Sequence, residues 1–151
     1  MASGEAPDPR LSFEEVMELA ELPLSPEAAA AGVTRRFISR RPAYVPGSDI
    51  EGVEAITGPG KVFSNTPWGA FGGHAFSQAA AAVERVVSEE ARQQTGGAGE
   101  TKYGVHTIHG YFGVFGVTDR PFIYDLEPIT TGRSFVTYAV KVRQPKNRKS
   151  S

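Results

Sequence analysis

One segment near the middle of the chain carries the clearest hydrophobic pattern. Apolar residues recur there at three- and four-residue steps, with charged residues at many of the other positions, which predicts an amphipathic helix over roughly 73–93. The run Gln78-Ala-Ala-Ala-Ala-Val83 makes this helix unusually slim. A slim helix is what a sheet needs if it is to wrap closely around it. The apolar stripe consists of Phe76, Ala79, Ala80, Val83, Val86 and Val87, of which Phe76, Ala80, Val83 and Val87 are expected to be buried.

Three segments after the helix have the character of strands. Residues 103–115 are long and aromatic, whereas apolar and polar side chains alternate along 121–129 and 134–143. The dipeptide Thr131-Gly132 predicts a hairpin turn between the last two. These patterns together predict an α+β fold, in which an antiparallel sheet packs against one long helix.

The chain before the helix is less regular. Ser12 and Glu15 have the spacing of a capping box, which predicts a short amphipathic helix over 13–22. Residues 34–45 are expected to be extended, and residues 46–61, rich in Gly and Pro, to form a loop.

Composition and charge narrow the classes of function. A length of 151 residues fits one domain, and a net charge of −1 with a pI near 6.3 excludes a strong general attraction to nucleic acid or anionic membrane. The chain has no cysteine, hence no disulfide, thiolate metal site or cysteine nucleophile. The first ten residues lack the basic start of a secretory signal, and no apolar run approaches the roughly 18–20 residues of a membrane span. A soluble intracellular protein is expected.

Several motifs, taken in order, resemble those of one known family. A Phe-Gly-Gly turn leads into a helix with Gln-Ala, and a His-x-x-His-x-Tyr-Phe stretch and three shorter runs follow. The runs are Phe71–Ala80, Val105–Phe112, Asp119–Tyr124, Gly132–Thr137 and Val142–Gln144. The chain resembles the N-terminal half of an acyl-CoA thioesterase II type protein, clearly over residues 68–144 and more weakly from Phe13 onward.

The resemblance implies a hotdog fold, in which an antiparallel sheet is wrapped around one long central helix. The expected hotdog domain covers residues 11–145, between a disordered N-terminus at 1–10 and a polar basic tail at 146–151. In the family the first hotdog continues into one more strand after the Val-Arg-Gln run. Pro145 and the tail follow that run here, so this sheet is expected to lack its last strand.

The resemblance also implies an activity, the hydrolysis of fatty acyl-CoA to free fatty acid and CoA without a cofactor. The family's catalytic Asp, Ser or Thr, and Gln are expected in a second hotdog, outside these 151 residues, so the catalytic residues of this chain are unknown. The expected partners are the acyl-CoA substrate and either a second hotdog domain or another copy of the chain. Two alternatives stay open: a non-catalytic binding or assembly module, and a single-hotdog homodimer with shared sites. Cytoplasm and peroxisome are both open, although Lys149-Ser-Ser151 is not the Ser-Lys-Leu address.

Four residues are the candidates for substrate binding. Gly72 and Gly73 would let a thioester carbonyl approach the free N–H groups of the helix, although glycine also permits close packing against the sheet. Gln78, inside the helix, would orient a water molecule or serve a structural hydrogen bond. His106 would face the helix and the substrate, or be a strand residue without a catalytic role.

Other polar residues have a simpler interpretation. His106 and His109 are expected on opposite faces of a strand, which excludes a shared metal ion. His74 is expected at the surface or an interface, uncharged, because a protonated imidazole opposes the helix dipole. Asp125 and Glu127 are expected on a solvated outer face. Arg143 and the basic residues after it would hold CoA phosphates or belong to a solvated tail.

Overall fold

The computed structural model describes residues 11–43, 52, 69–94, 96, 103–132 and 134–146. The helices are α1 (Phe13–Met17), α2 (Pro26–Ala30) and α3 (Gly72–Gln94), and the strands are β1 (Leu19–Leu22), β2 (Arg35–Ser39), β3 (Ile123–Thr131) and β4 (Val136–Arg143). The predicted loop at 46–61 falls outside the described residues except for one position. The predicted disordered N-terminus and most of the basic tail also lie outside them.

The four strands form one antiparallel sheet in the order β1-β2-β3-β4. Strands β1 and β2 are consecutive in the sequence, as are β3 and β4. Strands β2 and β3, by contrast, pair although they come from distant parts of the chain. The register places Phe37 opposite Tyr124, and Tyr124 opposite Val142. Tyr124 therefore lies in the middle of the sheet, and its side chain points to the face on which α3 packs.

Helix α3 packs on the sheet with its alanine face. The core that they share consists of Phe37, Ala43, Ala75, Ala79, Ala82, Val86, Phe122, Tyr124 and Leu126. The predicted long helix is confirmed, but its buried stripe is rotated: Ala82 is fully buried, while Phe76, Ala80 and Val83 are only half-buried. The smallest side chains face the sheet because they allow the closest approach of helix and strands.

An ion-pair cluster ties the C-terminal half of α3 to the sheet. Arg35 on β2 donates through Nη2 to Oε2 of Glu89 on the helix at 2.8 Å, and the same nitrogen donates to Oε2 of Glu21 on β1 at 2.8 Å. The guanidinium also lies 5.5 Å from the ring centroid of Phe37. The hydrogen bond to Glu21 and, against partial burial, that to Glu89 raise the pKa of Arg35, so it remains charged.

The predicted N-terminal helix is wrong beyond its first turn. Helix α1 has the capping box, with Ser12 N donating to Glu15 Oε2 at 2.7 Å, but it ends at Met17. Glu18 is already extended, and β1 then pairs with β2. The backbone hydrogen bonds of the sheet override a helical periodicity that extends over only ten residues.

The predicted strand over 103–115 is also absent from the sheet. Residues 103–116 have no regular secondary structure, residues 103–115 are exposed, and Val117 forms an isolated bridge with Gly69. Glycines interrupt the segment and weaken it as a strand. One of them, Gly110, lies so close to the ring of Phe76 that a Cβ there would come within 2.4 Å of it. The segment thus contacts the helix rather than a neighbouring strand.

Strand β4 lies at one edge of the sheet that the described residues form. Among the described residues no strand pairs with its outer side. A four-stranded antiparallel sheet with one long helix on one face is an α+β hotdog fold. No helix in the described part of the chain has the length and apolar character needed to cross a bilayer.

The rotated stripe makes a direct prediction about stability. Replacing Ala82 with Phe should lower the free energy of unfolding by about 1–3 kcal/mol or more, because the added ring overfills the helix–sheet contact. The same replacement at Ala80, one of the half-buried positions, should cost much less. Chemical denaturation of the two variants measures the difference. Equal losses would contradict the rotation of the buried face.

Candidate functional site

A cavity of about 1370 Å³ lies along one side of α3. Three parts of the chain line it: the half-buried side of the helix, residues 103–117, and most of β4. The helical residues are Gly72, Ala75, Phe76, Ala79, Ala80, Val83, Glu84 and Val87. From Gly72 to Val87 the helix rises about 22 Å at 1.5 Å per residue, so the cavity is long as well as large.

Apolar and polar side chains both line the end of this helix cavity near the C-terminus of α3. Val83, Val87 and Val136 lie there together with Glu84 and His106. Tyr138 lines that end, and its hydroxyl lies 3.4 Å from Oε2 of Glu90. Burial, and then the nearby Glu90 carboxylate, raise the pKa of Tyr138, which keeps its hydroxyl protonated.

Gln144 fixes the opposite end of the cavity, near the start of α3. Its Oε1 accepts a hydrogen bond from Val117 N at 2.7 Å, and its Nε2 donates to Val117 O at 2.8 Å and to Arg120 O at 2.9 Å. The side-chain amide therefore pairs with both the N–H and the C=O of Val117, as the backbone of a neighbouring strand would. Since Ala70 N donates to Gly116 O at 2.7 Å, the same loop is held beside the beginning of the helix.

Gly72 and Gly73 are the first two residues of α3, and Gly72 lines the cavity. The first N–H groups of a helix have no acceptor inside the helix, so those of the two glycines face the chain before them or a ligand. A Cβ on Gly72 would lie 3.0 Å from the ring of Phe112, whereas one on Gly73 would lie 2.4 Å from the exposed ring of Phe71. Aromatic rings thus crowd both glycines.

His106 borders the same cavity, on the segment that faces the helix. Its ring packs edge-on against Phe135 at 5.2 Å between centroids, and its Nδ1 lies 2.9 Å from Thr107 Oγ1. His109 lines the cavity too, so the expected separation onto opposite strand faces is wrong, because the segment is not a strand. No group of three or more potential metal ligands among the described residues is placed to hold a metal ion.

Gln78 lies on the other side of the helix, in the contact with the sheet. It is fully buried, and its Oε1 accepts a hydrogen bond from the hydroxyl of Tyr124 at 2.6 Å. Burial raises the pKa of Tyr124, which therefore remains a donor. Neither Gln78 nor Gly73 lines the helix cavity. Of the four predicted substrate-binding residues, Gly72 and His106 line it near opposite ends, Gly72 at the start of α3 and His106 against Phe135. The substrate-binding roles of all four stay predictions.

The surface position predicted for His74 is wrong. The residue is only 3% exposed, one helical turn before Gln78, with its ring 6.3 Å from that of Phe122. Neither of its ring nitrogens, nor Nε2 of Gln78, has a hydrogen-bond partner of good geometry in the described part of the chain. Burial lowers the pKa of His74, against a smaller opposite effect of the Gln78 amide, so the imidazole is neutral as expected, although for a different reason.

The solvated outer face predicted for Asp125 is also wrong. Its side chain is nearly buried between Arg36 on β2 and Arg143 on β4, and Arg143 Nε donates to Oδ2 at 3.0 Å. Burial acts to raise the pKa of Asp125, but hydrogen bonds from the two arginines outweigh it and lower the pKa. Asp125 is therefore a charged cross-strand link, and Arg143 is part of it as well as of the cavity wall.

Two contributors to the site were missed in the sequence. Tyr124 is one of the apolar positions of the alternation along 121–129, and a buried polar tip needs a partner, so the alternation itself contained the signal for the bond to Gln78. Gln144 followed a strand and preceded a proline, and nothing local marked it as the residue that holds the loop at 117–120.

A comparison with family models assigns the chain. Residues 64–150, more than half of the chain, match the model described as the acyl-CoA thioesterase N-terminal domain. The chain belongs to this family. Searches of curated proteins and of solved structures each gave no match. The matched region contains α3, the cavity-lining segment and both C-terminal strands, so the helix cavity lies within the acyl-CoA thioesterase N-terminal domain.

The buried imidazole predicts a pH dependence of stability. The folded state keeps His74 neutral at pH values where the unfolded chain, with the ordinary pKa of 6.5, binds a proton. The unfolded state then holds more protons, so the free energy of unfolding should fall as the pH drops from 7 towards 5. Denaturation across this range should show a shallower fall in His74→Gln. His109 is exposed, so His109→Gln is the matched control and should leave the pH dependence of the free energy of unfolding unchanged. If only the His109→Gln variant shows a shallower fall, the attribution of the pH dependence to His74 is wrong.

Proposed function

We propose that this domain binds fatty acyl-CoA and supports hydrolysis of the thioester to free fatty acid and CoA. One observation carries the proposal: the long, largely apolar helix cavity, one end of which lies at the start of α3. Burial of apolar surface contributes a favourable free energy of about 25 cal/mol per Å². Such a cavity therefore favours a ligand with a long hydrocarbon tail. Family membership supplies the thioester as the reacting group.

The two ends of the cavity give the substrate its direction. The acyl chain runs along Ala80, Val83 and Val87 towards Tyr138. The thioester carbonyl then lies at the start of the helix, where the N–H group of Gly72, the one of the two glycines that lines the cavity, stabilises the negative charge that forms on its oxygen. His106 contacts the ligand from the wall of the cavity opposite the helix. Gln78 does not contact the ligand but holds the helix in place on the sheet.

Hydrolysis needs a base that this end of the cavity does not supply. Water attacks the carbonyl carbon, the C–S bond breaks, and the departing CoA sulfur takes up a proton, so a carboxylate that accepts a proton from water must lie near the carbonyl. Glu84 is the one carboxylate among the described residues that line the cavity. It lies twelve residues from Gly72, about 18 Å along the helix, too far to act there. The proposal therefore places the base on a second hotdog domain, as the family resemblance implies, or on another copy of the chain.

A second candidate is a binding or assembly module without catalysis. The distance between Glu84 and the glycines favours it for a chain acting alone. The open edge of β4 favours assembly, because the backbone groups on that side can pair with a strand of a second hotdog. Both candidates share ligand binding in the cavity and differ in whether turnover accompanies it.

Binding and turnover are tested on the same 151-residue chain. Titration calorimetry should detect binding of palmitoyl-CoA, and a thiol-release assay should detect little or no hydrolysis. Ala80→Trp should block binding, because the indole fills the cavity rather than the core. Ser77→Trp, on the exposed side of the same helix, is the matched control and should bind normally. Rapid turnover by the isolated chain would instead favour a homodimer with shared sites.

A further inference from the structure

The outer edge of β4, and not only one of its faces, borders the helix cavity. Residues 134–140 and 142–146 all line the cavity. Side chains of a strand alternate between the two faces of its sheet, so a cavity under one face would be lined by every second residue only. The unbroken run over 134–140 therefore places the outer backbone edge of β4 beside the cavity. Among the described residues no strand pairs with that edge.

A second stretch of backbone forms another wall of the cavity. Residues 103–117 line it without a gap. This wall meets the β4 side at two points. The ring of His106 packs against that of Phe135 at 5.2 Å between centroids, and the Gln144 side chain bonds to Val117 through both Oε1 and Nε2. Between these points no backbone hydrogen bond joins the two walls within the described part of the chain.

The two walls run in the same direction along the chain. His106 lies beside Phe135, just before β4 begins, and Val117 lies beside Gln144, just after β4 ends. A strand between the walls can therefore run antiparallel to both, which is the more stable way for strands to pair. Strand β4 has eight residues. A strand that pairs with all of it is about 27 Å long, at roughly 3.4 Å per residue.

We propose that one extended strand of a partner polypeptide inserts antiparallel between β4 and residues 106–117, a part of the cavity that we call the strand slot. Unpaired backbone groups at a strand edge bind an added strand through main-chain hydrogen bonds. The inserted strand packs its inward side chains on Ala80 and Val83, along which the acyl chain is proposed to run. Strand and acyl chain therefore compete. The competition rests on the proposed function, whereas the insertion does not.

The pattern of β4 specifies the side chains of the partner strand. Tyr138 and Val140 pack against the core, and two other residues share their face of the strand, Val136 and Val142. With β4 fully paired, the even positions of an eight-residue strand lie opposite these four residues, so apolar side chains fit there. The third position lies opposite Lys141, which is exposed and does not line the cavity. A carboxylate at that position forms a cross-strand pair with the lysine.

An eight-residue peptide tests the insertion. It has valine at its even positions, glutamate at the third and threonine at the others. A peptide of the same composition without the alternation is the control. By fluorescence anisotropy the 151-residue chain should bind the first peptide and not the second.

Amide exchange shows whether the peptide pairs with β4. Exchange should become slower at every second residue of β4, because the N–H groups between them are already bonded to β3. Equal binding of the two peptides would indicate adsorption on exposed aromatic side chains. That result, the binding of neither peptide, or protection without this period would each overturn the insertion.

An exchange of charge tests the position of the strand. Lys141→Glu should bind the glutamate peptide roughly threefold or more weakly than the wild type does, and should prefer a peptide with lysine at the third position. Thermal melts check that the variant is folded. If the variant and the wild type bind both peptides alike, the strand does not lie beside β4 as proposed.

Titration calorimetry with palmitoyl-CoA measures the competition. The alternating peptide should lower the apparent affinity for palmitoyl-CoA, and the control peptide should not. An unchanged affinity at saturating peptide would overturn the competition alone. If palmitoyl-CoA does not bind to the chain even without peptide, the proposed function fails, and amide exchange still decides the insertion. Sedimentation of the chain alone tests another occupant: dimers that exclude the peptide would assign the strand slot to a second copy and overturn the proposed partner.

Discussion

The close contact between α3 and the sheet is the constraint on which the rest of the structure depends. Alanines at 75, 79 and 82 face the strands, so the helix backbone lies close enough for Phe37 and Leu126 to fill the remaining space. A helix with larger side chains on this face would stand further from the sheet. The bulkier residues of α3 instead project to the side, where they form one wall of the cavity. The core is thus closely packed because the small side chains of α3 face the sheet and its larger side chains line the cavity instead.

A polar pair lies inside this tight contact. Gln78 and Tyr124 are both fully buried, and one short hydrogen bond joins the Tyr124 hydroxyl to Gln78 Oε1. A buried bond of this kind adds about 1 kcal/mol when it is made, but leaving either partner unsatisfied costs about 1–3 kcal/mol. The pair therefore penalises any rotation or sliding of the helix that apolar packing alone would permit. It sets where the glycines at the start of α3 lie relative to the strands.

The sequence was sufficient where one periodic pattern ran for long enough. Helix α3 and strands β3 and β4 were predicted to within two residues at most of their ends, because their patterns extended over eight or more residues and each had a turn signal nearby. Residues 13–22 and 103–115 failed because pairing with distant strands, or the lack of it, decided their structure. The sequence also did not reveal which face of α3 is buried. The face through Ala80 and the face through Ala82 are both apolar, and only the position of the sheet decides which of them is buried. At the site, Gly72 and His106 could be found from motif resemblance, whereas the bonds of Gln144 to Val117 and Arg120 join distant parts of the chain and have no local signal.

The order of the strands has a consequence for how the chain reaches this structure. Strands β3 and β4 are joined by a short turn, and β1 and β2 are close in sequence, so each pair can form early and locally. The contact of Arg36 with Asp125, by contrast, closes a loop of 89 residues. Closing such a loop costs conformational entropy before any packing energy is recovered, so the topology favours the joining of the two halves of the sheet as the slow step. As long as the halves are apart, β2 and β3 each have a free edge, and the middle of the future sheet is open to pairing with other chains.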